Sequence, residues 1–106
     1  MKIGVIKETQ KGEKRVAISP NISKLLIEKG FELLVEEDAG LASSYKNSDY
    51  ESAGAKIVSR ETLFNESTVL IKINPFDEDD LKLVNNTQIL MSQLYYKSNA
   101  ELIKSI

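Results

Sequence analysis

The 106-residue chain has no cysteine and no histidine. Without cysteine there is no disulfide scaffold, no thiolate metal site and no thiol nucleophile. Without histidine the commonest general acid/base and the commonest metal ligand are both missing. Tryptophan is absent as well, and there are only two prolines and five glycines. The glycines stand at positions 4, 12, 30, 40 and 54. No two have the spacing of a G-x-G-x-x-G turn or a P-loop, so the backbone offers no evident cradle for a pyrophosphate. No apolar run approaches the roughly 18 residues of a membrane helix. Met1 to Ile6 is too short for a signal peptide, and Lys7 and Glu8 follow at once. Charge of one sign is also scarce. The formal net charge is −2 and no basic face is evident, which argues against a nucleic-acid partner.

What is present is a patterned globular sequence. Its apolar fraction of 42% suffices for one modest core, since a chain of this size buries roughly two-thirds of its unfolded surface. Strand and helix patterns alternate. Lys2 to Ile6 is short, apolar and β-branched, as a buried strand is. A polar loop follows, with Gly12 as its turn residue. Ser19 is a good N-cap and Pro20 takes the favoured first helical position. Ile22, Leu25 and Leu26 lie at i, i+3, i+4 and predict the inward face of that helix, which Gly30 stops. Strands are predicted at 31–36, 55–58, 69–73 and 88–94, with short helices at 49–53, after Ser59 and after Asp77. Pro75 closes the fourth strand. Ser98 and Glu101 form a capping box for a last helix carrying Leu102, Ile103 and Ile106. The alternation predicts an α/β lobe of three layers, Rossmann- or flavodoxin-like. Its sheet is mostly parallel with helices on both faces, and the strand after Thr68 lies near the centre.

Four residues stand out as cleft candidates. Arg15 lies in the loop after the first strand, where parallel sheets place ligands. Its guanidinium suits a carboxylate or phosphate, although an ordinary surface arginine or an ion pair with Glu8 or Glu13 explains it more simply. Lys72 interrupts an apolar strand, so it either finds a buried partner or reaches solvent at the strand end. Asn74 precedes Pro75 and reads as a ligand contact or as a plain turn residue. Tyr95 follows the fifth strand, where it lines a cleft or packs with a wet hydroxyl. Most of the carboxylates read as solvated helix faces and caps.

Blocks of this sequence resemble a known family. Met1-Lys2-Ile3-Gly4-Val5-Ile6-Lys7-Glu8 and Glu13-Lys14-Arg15-Val16-Ala17-Ile18-Ser19-Pro20 resemble the start of alanine dehydrogenases and of the nicotinamide nucleotide transhydrogenase alpha subunit. Gly30-Phe31-Glu32, Val35 to Gly40 and Tyr50 to Val58 continue the likeness. Leu70-Ile71-Lys72-Ile73-Asn74-Pro75 is similar to the family's L-x-K-V-x-x-P strand end. The resemblance implies two α/β lobes around a cleft. The chain, residues 1–106, would be a single N-terminal domain forming the first part of lobe one. A Rossmann domain outside it would hold NAD(H).

Within the family, alanine dehydrogenases are expected to use an arginine matching Arg15, a lysine two residues after the position of Lys72, and a histidine on the fifth strand. Asn74 and Tyr95 occupy the latter two positions here. Transhydrogenase alpha subunits resemble the chain better in that stretch. Their first lobe does no acid/base work, because hydride passes directly between NADH and NADP+. The expectation is therefore the first lobe of a transhydrogenase alpha subunit, with no catalytic residue of its own. An alanine dehydrogenase-like lobe is the alternative, and a non-catalytic interaction domain the second. The resemblance further implies a homodimer, a membrane-embedded partner subunit, and a cytoplasmic place peripheral to the inner membrane. The isolated chain is expected to bind NAD(H) weakly or not at all and to leave an apolar surface that favours self-association.

Overall fold

In the computed structural model, residues 1–92 are described. Five strands form one sheet: β1 (Lys2–Val5), β2 (Glu32–Glu36), β3 (Lys56–Val58), β4 (Val69–Lys72) and β5 (Ile89–Ser92). All four pairings are parallel, in the order β3-β2-β1-β4-β5. The middle strand is thus β1, with β4 beside it. The expected continuation of the fifth strand to Leu94, Tyr95 and the last helix lie outside the described residues.

Four helices fill the crossovers: α1 (Pro20–Glu28), α2 (Asn47–Ser52), α3 (Arg60–Glu66) and α4 (Glu78–Leu83). Alternation along each strand splits the core in two. On one face Val5, Leu33 and Val35 pack with Leu26 and Ile27 of α1, Tyr50 of α2, and Ile18. On the other, Leu34, Leu70 and Leu90 meet Leu63 and Phe64 of α3, with Leu81 and Phe76. Helices therefore cover both faces.

The ends of the elements follow their sequence signals. Ser19, Ser59 and Asp77 each accept a backbone N–H of the first turn of α1, α3 and α4. Gly30 and Gly54 take positive φ, 99° and 101°, just beyond α1 and α2. One expectation is corrected. Ile22 and Leu25 of α1 are about half exposed, while Ser23 is fully buried. The inward stripe is Ser23, Leu26 and Ile27, one residue round from the predicted one. Ser23 can face inward because its hydroxyl donates to the Ser19 carbonyl at 3.0 Å, so it brings no unpaired donor into the core.

Strand order reverses direction between β1 and β4: the chain winds outward from β1 through β2 to β3, then returns to lay β4 against β1's other edge. In open parallel sheets a crevice opens at such a point, beyond the carboxyl ends of the strands. Here those ends are Val5-Ile6 and Lys72-Ile73.

Candidate functional site

Two loops meet at that crevice. One runs from Ile6 to Ser19 and the other starts at Ile73. Glu8 joins them. Its carboxylate accepts the backbone N–H of Ile73 at 2.9 Å and of Asn74 at 3.0 Å. These groups lie just past the end of β4, where the ladder no longer supplies acceptors. The Asn74 amide adds a third bond to Glu8, at 3.1 Å, and also donates to Glu13 at 2.9 Å. One side-chain nitrogen thus bridges two carboxylates.

Glu13 in turn grips Arg15. The guanidinium donates from Nε at 2.9 Å and from Nη2 at 2.8 Å, one to each carboxylate oxygen. The Arg15 backbone N–H donates at 2.9 Å as well. The Glu13 side chain is 8% exposed and that of Arg15 59%. These bonds from Arg15 hold the Glu13 carboxyl down at about 2, well below its ordinary value, and Glu13 raises the Arg15 guanidinium correspondingly. Asn74 and residues 10–15 line an open cleft of about 510 Å³. Lys11 and Lys14 line it beside Arg15, three basic residues to one acidic, Glu13. Gly12, at φ 84°, makes the turn that closes the loop.

Lys72 lies elsewhere. It points to the opposite face, beneath α4, with 4% of its side chain exposed. Its ammonium contacts Asp80 at 3.1 Å and lies 5.8 Å from the centre of the Phe76 ring. Asp80, fully buried, also pairs with Arg60, which reaches Glu36 at 3.1 Å and stacks over Phe64 at 5.0 Å. Glu36 accepts the backbone N–H of Lys7 at 3.0 Å. The four charges balance, two of each sign, and tie β2, β4, α3 and α4 together at one end of the sheet. Most carboxylates were expected as solvated faces or caps, and two depart from that. Asp80 and Glu36 are buried partners, and Asp80 is a cap too, accepting the backbone N–H of Asp77 at 3.1 Å.

Of the four candidates, then, Arg15 and Asn74 come together, Lys72 belongs to a separate buried network, and Tyr95 lies outside the described residues. Glu8 and Glu13 complete the cluster. Asp80, Arg60 and Glu36 were not singled out in the sequence, although a lysine inside an apolar strand demanded partners of this kind.

The chemistry open to this cluster is narrow. An asparagine amide neither gives nor takes a proton near neutrality, and the one carboxylate facing the cleft is held ionised. The Nη1 edge of Arg15 makes no hydrogen bond among the described residues, so the arrangement can hold an anion. The long loop replaces a tight glycine turn into α1. At the helix start Pro20 has no N–H, and Ser19 Oγ takes that of Ile22 at 3.3 Å. Among the described residues no group of three or more His, Cys, Asp or Glu is placed to hold a metal ion, and no helix is long and apolar enough to cross a membrane.

Comparison with known proteins agrees with this architecture. The solved transhydrogenase from Sinorhizobium meliloti superposes with a TM-score of 0.85 at 26% identity, over 95% of this chain and 30% of that one. A solved L-alanine dehydrogenase gives the same TM-score at 30% identity, over 96% of this chain and 28% of that one. Among curated proteins, the alanine dehydrogenase of Staphylococcus haemolyticus is 36% identical over 106 residues, and one from Staphylococcus epidermidis 35%. The match takes in the whole of this chain, which spans only 28% and 29% of those relatives' lengths. Residues 4–106 match the family described as Alanine dehydrogenase/PNT, N-terminal domain. The chain belongs to that family.

Proposed function

We propose that the chain is the first lobe of a nicotinamide-linked oxidoreductase of the transhydrogenase type, and that it forms a cleft wall without transferring protons. The observation that carries this reading is the state of position 74. The resemblance implies a lysine there in alanine dehydrogenases. This chain has an amide instead, fixed between Glu8 and Glu13. The lysine it does carry in the same stretch, Lys72, is buried against Asp80 on the other face. Direct hydride transfer between two nicotinamides needs no side-chain proton relay, so a lobe built this way is compatible with it. In this reading NAD(H) is held by a Rossmann domain outside these residues. The assembled protein is a homodimer that works against a membrane-embedded partner subunit from the cytoplasmic side.

A second reading, an amino-acid dehydrogenase lobe, is favoured by the curated alanine dehydrogenases at 36% and 35% identity. One experiment separates the two. The natural protein, purified with whatever it assembles with, is assayed for NADH-dependent reduction of an NADP+ analogue and for alanine-dependent reduction of NAD+. Transhydrogenation without alanine turnover supports the proposal. Robust alanine turnover refutes it, and activity in neither assay favours an interaction domain.

A further inference from the structure

We infer that Glu8 is a positioning residue for Arg15, acting through Asn74 and Glu13 to aim one edge of the guanidinium into the cleft at a ligand oxyanion. The inference rests on the proposed reading only in taking the cleft as the ligand-facing side.

The side chains form an unbroken line: Glu8 to Asn74 at 3.1 Å, Asn74 to Glu13 at 2.9 Å, Glu13 to Arg15 at 2.8 and 2.9 Å. Its two ends differ. Glu8 is anchored on the backbone beyond β4, through the N–H groups of Ile73 and Asn74. That anchor is stiff because β4 is paired on both sides. Arg15 is 59% exposed and stands on a long loop. A free arginine there would sample many rotamers and lose that freedom each time a ligand immobilised it. Glu13 removes that freedom by holding the Nε/Nη2 edge and leaving the Nη1 side open to the cleft. Glu13 itself stands on the loop, and the Asn74 amide is what ties its carboxylate to the sheet.

The charge pattern selects the ligand class. Lys11, Lys14 and Arg15 outnumber Glu13 around the cleft. A carboxylate and a phosphate share the geometry that an arginine edge recognises, and pyruvate and inorganic phosphate serve as separate probes.

The test uses the 106-residue chain and four proteins: wild type, Glu8→Ala, Glu8→Gln and Asn74→Ala. Nuclear magnetic resonance follows the Arg15 Nε–H, whose exchange with solvent reports directly on the bond to Glu13. Breaking the line is expected to speed that exchange on the order of five- to ten-fold in Glu8→Ala and Asn74→Ala, the worth of one hydrogen bond. Glu8→Gln keeps an acceptor in place and should recover part of the protection. Titration with phosphate and with pyruvate should show weaker binding in the same two alanine variants for whichever probe the wild type takes. Gln88→Ala, which removes the side-chain bonds to the Phe64 and Ser67 carbonyls at the other end of the strands, is the control for a purely structural effect. Should Glu8→Ala fail to fold, Asn74→Ala still decides, because it cuts the side-chain line and leaves both backbone bonds to Glu8. Unchanged Arg15 exchange in folded Asn74→Ala would overturn the inference. So would wild-type protein that binds neither probe at millimolar concentration.

Discussion

Replacing Asp80 by asparagine tests what holds the lobe's far face together. Asp80 is fully buried and carries three bonds: Lys72 and the backbone N–H of Asp77, each at 3.1 Å, and Arg60. Asparagine keeps the shape but removes the charge. Arg60, 31% exposed, can turn toward Glu36 and solvent. Lys72 cannot: its side chain is 4% exposed, and its other close neighbour is the Phe76 ring. The variant therefore leaves a buried ammonium without its counter-ion, a loss of about 3–5 kcal/mol. Domains of this size are stable by only about 5–15 kcal/mol in total. At about 4–8 °C per kcal/mol, the unfolding midpoint should fall by roughly 12–40 °C. Urea unfolding followed by circular dichroism gives the free energy directly. Asp80→Asn combined with Lys72→Met removes the stranded charge and should recover much of the loss. A cost for Asp80→Asn below about 1 kcal/mol, the worth of an exposed ion pair, would refute this account.

The fold was legible because local signals and the long-range pattern agree. Ser19-Pro20, Ser59 and Asp77 mark helix starts by chemistry that acts within one turn, and Gly30 and Gly54 mark ends by the positive φ that favours glycine. The inward face of α1 was misread, since a buried serine beside an exposed leucine reverses the ordinary preference. Only the bond from Ser23 to the Ser19 carbonyl explains it. At the site, the sequence offers Arg15 an ion pair with Glu8 or Glu13, and the structure forms the one with Glu13. Nothing local revealed the Glu8–Asn74 contact, which spans 66 positions and exists only because β4 returns beside β1. The partner of Lys72 was hidden for a different reason. Asp80 sits in the acidic run Asp77 to Asp80, where a helix start accounts for every carboxylate, and Asp80 is both cap and counter-ion. A residue serving two roles shows only the local one in sequence.

Three further substitutions probe other parts of the lobe. Tyr50→Phe removes the phenol that donates to the Ile18 carbonyl at 2.8 Å inside the core, and should cost about 1–3 kcal/mol in urea unfolding. Gly4→Ala should cost about 1–3 kcal/mol by overpacking, since the new Cβ would lie 2.8 Å from Ser67 Cβ and 3.1 Å from Leu70 Cδ2; adding Ser67→Gly should restore part of it. Glu13→Gln should change how stability depends on acid. The Glu13 carboxyl titrates at about 2 in the folded protein, against an ordinary 4.5, chiefly because Arg15 hydrogen-bonds its ionised form. The folded state therefore binds fewer protons than the unfolded state between those two values, and stability rises with pH across that window. Glu13's contribution is complete above pH 4.5 and is lost as pH falls toward 2. Denaturation measured at pH 6, 4, 3 and 2 should show the wild type losing its advantage over Glu13→Gln in that interval, with no change in the difference above pH 6. Carbon-13 titration of the Glu13 carboxyl tests the cause directly, because a midpoint near 4.5 would mean that Arg15 does not hold it in solution.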